Sequence, residues 1–84
     1  MQLTQHAHQR MTQRGITRAM INLVLEYGEV EQDKAVLDKK HTERAISELQ
    51  TKLRSLKKIL DKGGCVVVES DNTVVTAYNY QPKH

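Results

Sequence analysis

Apolar residues recur at helical spacing over the middle of this chain. Between residues 42 and 62 they return every three or four positions, which is the period of one face of an α-helix. The residues of this row are Ile46, Leu49, Leu53, Leu56 and Leu60. Two glycines follow the stretch, and lysines are concentrated in its last turns, where cations favour the helix dipole. The pattern predicts a long amphipathic helix over 42–62.

Two shorter helices are predicted before it. Residues 4–14 begin with Thr4, a favourable N-cap residue, and are followed by Gly15, which suits a left-handed C-terminal position. Residues 18–27 begin after Thr17 and carry apolar side chains on one face. A glycine follows this stretch as well.

The C-terminal segment alternates in the manner of two β-strands. The predicted strands are Cys65–Ser70 and Thr73–Tyr80, and Asp71-Asn72 is the two-residue turn between them. Aspartate and asparagine tolerate the positive φ angles that such hairpin turns require. We therefore expect an antiparallel hairpin.

A two-residue loop would also set the register of this hairpin. It places Val68 opposite Val75 and Val66 opposite Ala77. These four residues would form one apolar face, packed against the first two helices. The other face would be mixed, with Cys65, Val67, Glu69, Val74, Thr76, Tyr78 and Tyr80.

Residues 30–38 show no clean alternation and predict a short edge strand. The predicted order is α-α-β-α-β-β. This is an α+β fold with two N-terminal helices, an edge strand, a long amphipathic helix and a C-terminal hairpin in a small antiparallel sheet. At 84 residues the chain is predicted to be a single domain, 1–84.

Composition narrows the functional classes. One cysteine excludes an internal disulfide framework and suits a reducing compartment. No apolar run approaches the roughly 20 residues that span a bilayer, and the polar N-terminus does not look like a signal peptide. We therefore expect a cytoplasmic protein without a membrane partner. The net charge of +3 permits an anionic partner without requiring one.

A basic row on the first helix is the main candidate for chemistry. His6, Arg10 and Arg14 are four residues apart and so lie along one side of that helix, beside the apolar pair Ala7 and Met11. Arginine offers a planar charged fork for phosphate oxygens, and histidine suits proton transfer near neutrality. The alternative is an ordinary solvated face whose basic groups pair with nearby glutamates: Glu26, Glu29 and Glu31.

The same stretch carries a resemblance. The sequence H-A-H-Q-R-M-T-Q-R-G-I at 6–16 is similar to the H-A-x-x-R-M-x-x-R-G-I signature of the DUF-4258 family, and V-T-A-Y at 75–78 resembles its closing V-x-T-x-Y strand. The family is grouped by fold with RelE-like and barnase-EndoU-colicin-type ribonucleases. The resemblance thus implies a RelE-like fold and a toxin-like, metal-independent endoribonuclease.

The resemblance also implies the site residues. His6, Arg10, Arg14 and Tyr78 would be catalytic, and Thr76 would bind substrate. The 2′-hydroxyl of RNA would attack the adjacent phosphorus, so that no protein nucleophile or cofactor is needed. His6 would act as base or acid, and the arginines would hold the phosphate. Tyr78 would position the substrate, stack on a base or assist proton transfer.

Two other functions compete with this one: a non-catalytic RNA- or protein-binding module, and a small homodimeric regulatory protein. The candidate partners are RNA, a cognate antitoxin-like protein and a second copy of the chain through residues 42–62. The alternative for the apolar row of that helix, which is slightly favoured, is that it belongs to the core of this domain. No metal site is expected, since His6 and His8 are two apart and would point about 160° from each other on a helix. His41 and His84 show no evident partners in the sequence.

Overall fold

The structure, a computed structural model, describes residues 2–82. In chain order the elements are α1 (Gln5–Arg14), α2 (Arg18–Tyr27), β1 (Glu29–Glu31), β2 (Lys34–Val36), α3 (Lys39–Asp61), β3 (Cys65–Ser70) and β4 (Thr73–Asn79). The α+β class and the C-terminal hairpin are confirmed. The chain divides into two compact units, one up to Ala45 and one from Ile46. The single domain 1–84 stays a prediction.

Side-chain caps define the first two helices. The hydroxyl of Thr4 accepts a hydrogen bond from the Ala7 amide at 3.1 Å, and the hydroxyl of Thr17 accepts one from the Met20 amide at 3.1 Å. Gly15 closes α1 with a φ of 67°, a left-handed conformation that costs glycine little. The predicted bounds of both helices are confirmed to within one residue.

Helix α3 starts three residues before the predicted position, at Lys39. Asp38 is the reason, because its carboxylate accepts a hydrogen bond from the His41 amide at 2.8 Å, as an N-cap residue does. The Thr42 hydroxyl also donates to the Asp38 carbonyl, at 2.6 Å. The apolar row begins only at Ile46. The spacing of its residues therefore gives no information on where the helix starts.

The single edge strand predicted over 30–38 is a small hairpin instead. Strand β1 pairs antiparallel with β2, with Val30 opposite Ala35, and the two form a sheet of their own. Gln32 lies in the turn between them with a φ of 56°. Three-residue strands are too short for the sequence pattern to separate, and charged residues occupy half of their positions.

Gly28 joins α2 to this hairpin at a close approach of the backbone. A Cβ atom at this position would lie 2.5 Å from the Val24 carbonyl oxygen and 2.8 Å from the Val36 carbonyl oxygen. The backbone of Gly28 is extended, with φ −77° and ψ 164°. Glycine is therefore required here by space and not by a left-handed conformation.

The predicted register of the C-terminal hairpin is correct beside the turn and wrong beyond it. Glu69 pairs with Val74, as a two-residue loop requires, but Val68 pairs with Thr76, because β4 carries an extra residue at Val75. This β-bulge shifts every later pair by one position and so exchanges the faces of the remaining β4 residues. The later pairs are Val67 with Ala77, Val66 with Tyr78 and Cys65 with Asn79.

None of the residues that the structure describes is buried, although several are half-buried. The prediction that Val66, Val68, Val75 and Ala77 share one apolar face is wrong, because Ala77 pairs with Val67 on the other face and Val75 is the unpaired bulge residue. The packing of the hairpin against the first two helices stays a prediction. Cys65 is exposed. Among the helices of residues 2–82, none is long and apolar enough to cross a membrane.

Candidate functional site

The basic row lies on a short, well-capped helix. His6, Arg10 and Arg14 are all exposed on α1 and are separated by single helical turns. Side chains four residues apart on a helix are neighbours, about 5–6 Å apart at Cβ. Ala7 and Met11 are the half-buried residues of α1. The basic groups therefore run beside the better-covered face of the helix while their heads remain in solvent.

The glutamates proposed as partners for this row do not pair with it. Within residues 2–82, no carboxylate lies within 4.0 Å of a basic group of Arg10 or Arg14. The carboxylate of Glu29 instead approaches the Nε2 atom of His41 at 3.2 Å. The two guanidinium groups thus have their charge available to an anionic ligand.

The His6 imidazole has no hydrogen-bond partner in the part of the chain that the structure describes. The hydroxyl of Thr4, which caps the same helix turn, accepts a hydrogen bond from the Ala7 amide. A general base works best when a second group fixes its orientation. His6 is accessible to a substrate, and a substrate or another group would have to orient it.

The predicted residues on β4 share one face of the hairpin. Because of the bulge, Thr76 lies opposite Val68, and Tyr78 lies opposite Val66. Directly paired residues point to the same side of a sheet, so both join the valine face and not the mixed face expected from the sequence. The side chain of Tyr78 is 56% exposed.

A cleft of about 450 Å³ adjoins this tyrosine within the second unit. Its walls are Val66, Tyr78, Asn79, Tyr80 and Gln81. Two tyrosine rings beside an amide give stacking surfaces together with hydrogen-bonding groups, a combination suited to an unstacked base.

The five predicted site residues are thus divided between the two units. His6, Arg10 and Arg14 belong to the first unit, and Thr76 and Tyr78 belong to the second. The structure confirms that the three residues of α1 form one row and that the two residues of β4 share one face. Their convergence in one site stays a prediction.

A cluster around His41 was not predicted from the sequence. Its Nδ1 atom lies 2.7 Å from an Asp38 carboxylate oxygen, and its Nε2 atom faces Glu29 on β1. A ring nitrogen that carries a proton can donate to the carboxylate it faces. His41 thus lies between the first turn of α3 and β1 and bridges the two elements.

A sequence signal for this cluster existed. Asp38 precedes helix-forming residues and stands three positions before His41, the spacing at which an N-cap side chain meets the first turn. The contact from Glu29 is tertiary and leaves no local pattern. His84, the other histidine without a sequence partner, lies outside the described residues.

The pKa of the Asp38 carboxyl is held below its ordinary value, first by the hydrogen bond from the His41 amide and then by the His41 side chain. Both favour the charged form. A group with a lowered folded pKa stabilises the protein above the pKa of an unfolded aspartate, about 3.9. This stabilisation is lost as the pH falls through the lower folded pKa.

We therefore expect Asp38→Ala to lower the thermal unfolding midpoint at neutral pH, and the difference from wild type to narrow below about pH 4. Thermal unfolding followed by circular dichroism across pH 2–7 measures this. Asp38→Asn is the matched control, because asparagine caps helices well without the charge. A difference between wild type and Asp38→Ala that does not change with pH would contradict the role of the charge.

No group of three or more histidine, cysteine, aspartate or glutamate residues that could hold a metal ion occurs between residues 2 and 82.

Comparison with curated proteins gives no match, and comparison with solved structures gives none either. A family model does match, described as "Domain of unknown function (DUF4258)", over residues 3–79. This range includes both the α1 row and strand β4, and the chain therefore belongs to the DUF4258 family.

Proposed function

We propose that this protein is a toxin-like, metal-independent ribonuclease domain that holds an RNA phosphodiester against the basic row of α1. One observation carries the proposal: His6, Arg10 and Arg14 form an exposed row, and its arginines have no carboxylate partner in the described chain. A row of cationic groups one helical turn apart matches an anionic backbone better than it matches a neutral ligand.

The proposed reaction uses the substrate's own nucleophile. The 2′-hydroxyl of RNA attacks the adjacent phosphorus and gives its proton to a base, while the bond to the 5′-oxygen breaks and that oxygen receives a proton. The products are a 2′,3′-cyclic phosphate and a 5′-hydroxyl. His6 is the proposed proton-transfer group, since imidazole changes its protonation near neutral pH.

Arg10 and Arg14 would stabilise the charge that develops on the phosphoryl oxygens. A guanidinium group donates two parallel hydrogen bonds to such oxygens. Tyr78 is proposed to stack on or position a base, and Thr76, on the same face of β4, to orient the substrate. Both assignments rest on the family-like strand, and they require the two units to present their groups to one RNA molecule.

The test is cleavage of a mixed RNA substrate by the purified full chain in EDTA. We expect RNA fragments that end in 2′,3′-cyclic phosphates, since the proposed reaction uses no metal ion. Absence of cleavage in EDTA together with cleavage on addition of Mg²⁺ would overturn the metal-independent mechanism. Absence of both binding and cleavage would overturn the proposed function.

Arginine variants test the phosphate contact separately. Arg10→Gln should weaken binding to single-stranded RNA and reduce the slope of log K against log salt by about 0.7, the value of one phosphate contact. Arg10→Lys should keep most of the slope but bind more weakly, because lysine lacks the planar fork. A salt titration of fluorescence anisotropy measures both quantities.

Arg44→Gln is the matched control for charge. Arg44 is an exposed arginine of the same unit that lies on α3, away from the basic row in sequence. Equal losses for Arg44→Gln and Arg10→Gln would show that net charge, and not the row on α1, governs binding.

A non-catalytic RNA-binding module is the second candidate. It is favoured by the lack of any hydrogen bond to the His6 ring in the described residues, because a base without an orienting group is a poor catalyst. Binding with the predicted salt dependence but no cleavage would establish this function. A cognate antitoxin-like protein is a further proposed partner, and its carboxylates would cover the same basic row.

A further inference from the structure

The apolar row of α3 has no cover within its own unit. Its exposed fractions are 51% for Ile46, 41% for Leu49, 50% for Leu53, 60% for Leu56 and 76% for Leu60. The β3–β4 hairpin of the same unit thus leaves every member of the row at least 41% exposed. The helix has 23 residues, which corresponds to about 34 Å at 1.5 Å per residue.

The spacing of the row is that of a helix that pairs with another helix. Successive members are separated by three, four, three and four residues. This is the alternation of a and d positions in a coiled coil, where each side chain enters a space between side chains of the facing helix. Ile46, Leu53 and Leu60 then occupy a positions, and Leu49 and Leu56 occupy d positions.

We propose that α3 pairs with α3 of a second copy of this chain, in antiparallel orientation. Two registers place four of the five residues opposite one another, and only one of them keeps every member of the row opposite a residue of the other helix. In that register Leu49 faces Leu53 of the second copy, and Ile46 faces Leu56. The two-fold symmetry repeats each contact. Two layers on each side of the axis make a continuous apolar seam.

The charges beside the seam support this occupant and this orientation. In an antiparallel pair of helices, the residues at the heptad positions beside the seam, e and g, face the same position of the other helix: e faces e, and g faces g. Glu43 then faces Lys57 of the second copy, and this opposite-charge pair occurs twice. On the other side Ala45 faces Ile59, which extends the apolar contact. Lys52 faces Lys52 of the second copy, in a single like-charge pair near the two-fold axis.

The parallel orientation has worse electrostatics. There, g residues face e residues of the next heptad, which places Lys52 against Lys57 of the other copy twice. It also brings the two basic C-terminal ends of α3 together and aligns the helix dipoles. The antiparallel dimer thus gains two opposite-charge pairs against one like-charge pair, whereas the parallel dimer gains two like-charge pairs, so the charge pattern selects the antiparallel orientation.

A charge swap tests both the dimer and its orientation. We expect sedimentation equilibrium of the full wild-type chain to show a monomer–dimer equilibrium. Lys57→Glu should raise the dimer dissociation constant about tenfold, because two attractive pairs become repulsive. Glu43→Lys should act in the same way. An equimolar mixture of the two variants should dimerise about as well as wild type, because both pairs are then opposite in charge.

Lys58→Glu is the matched control. Lys58 is the next residue and occupies the f position, on the side of the helix away from the seam. It makes the same change in net charge, and the lower charge alone should slightly favour association. Circular dichroism of each variant verifies that the helix is retained.

Three results would overturn the proposal. Tighter association of Lys57→Glu would indicate the parallel orientation, since Lys52 would then face a glutamate. Equal effects of Lys57→Glu and Lys58→Glu would indicate a general charge effect. A wild-type chain that stays monomeric up to the highest concentration tested would exclude the second copy as the occupant of the row.

Discussion

We expect the His6→Ala variant to cleave RNA about 10²–10⁴-fold more slowly than wild type, the usual contribution of a positioned acid or base. The helix should be retained, because alanine is the best helix former. In addition, the His6 side chain makes no hydrogen bond within residues 2–82 that the substitution would remove. RNA binding should fall much less than cleavage, since the two arginines of the row remain. Single-turnover cleavage in EDTA, with binding measured on a substrate lacking the 2′-hydroxyl at the scissile position, separates the two effects.

His8→Ala is the matched control on the same helix. His8 is also exposed, but it stands two residues further on and therefore points away from the basic row. We expect it to retain wild-type cleavage to within about twofold, since it lacks the position needed for proton transfer. Equal losses from both variants would contradict the assignment of His6. Unchanged cleavage by His6→Ala would remove it from the mechanism.

Replacing Gly28 by alanine should destabilise the first unit by about 1–3 kcal/mol, the usual cost of forcing an extra methyl group into a filled space. The added Cβ would lie 2.5 Å and 2.8 Å from two backbone carbonyl oxygens, those of Val24 and Val36. Neither atom is the end of a flexible side chain, so α2 and β2 have to separate. For a protein of this size, we expect the thermal unfolding midpoint to fall by about 4–8 °C per kcal/mol.

Gly15→Asn provides the comparison for this prediction. No atom lies within 4 Å of a Cβ at Gly15, and asparagine tolerates the left-handed conformation found there. Its effect should therefore be small. A Gly28→Ala variant that unfolds at the wild-type temperature would show that the approach between α2 and β2 is looser than the structure indicates.

The parts of the fold that the sequence predicted are those with local causes. Thr4 and Thr17 cap their helices through hydrogen bonds that span three residues, and Asp71-Asn72 adopts the positive φ angles of a hairpin turn. Such contacts leave a signature within a few neighbouring positions. For the same reason the row on α1 could be placed correctly from spacing alone.

The parts that the sequence did not predict depend on longer-range contacts or on backbone irregularity. The contact between Glu29 and His41 joins a strand to a helix, and no local pattern indicates it. The bulge at Val75 is invisible in a run of residues that all favour strands. Because of the bulge, Thr76 and Tyr78, two of the five candidate site residues, lie on the opposite face of the hairpin from the one predicted.

That bulge also affects how chains of this family should be compared. Strand β4 behaves as two half-strands whose pleats are out of phase, with Val75 at the junction. Between the turn and Val75, alternate residues of β4 face the sides that a regular two-residue hairpin gives them. Beyond Val75, each residue faces the side opposite to the one that this regular pattern gives. A relative with the same number of residues before the motif but no bulge would keep an identical T-x-Y motif and yet present it to the opposite side of its hairpin. Identical residues at Thr76 and Tyr78 therefore transfer a role only between chains in which the motif pairs with the same positions of the preceding strand.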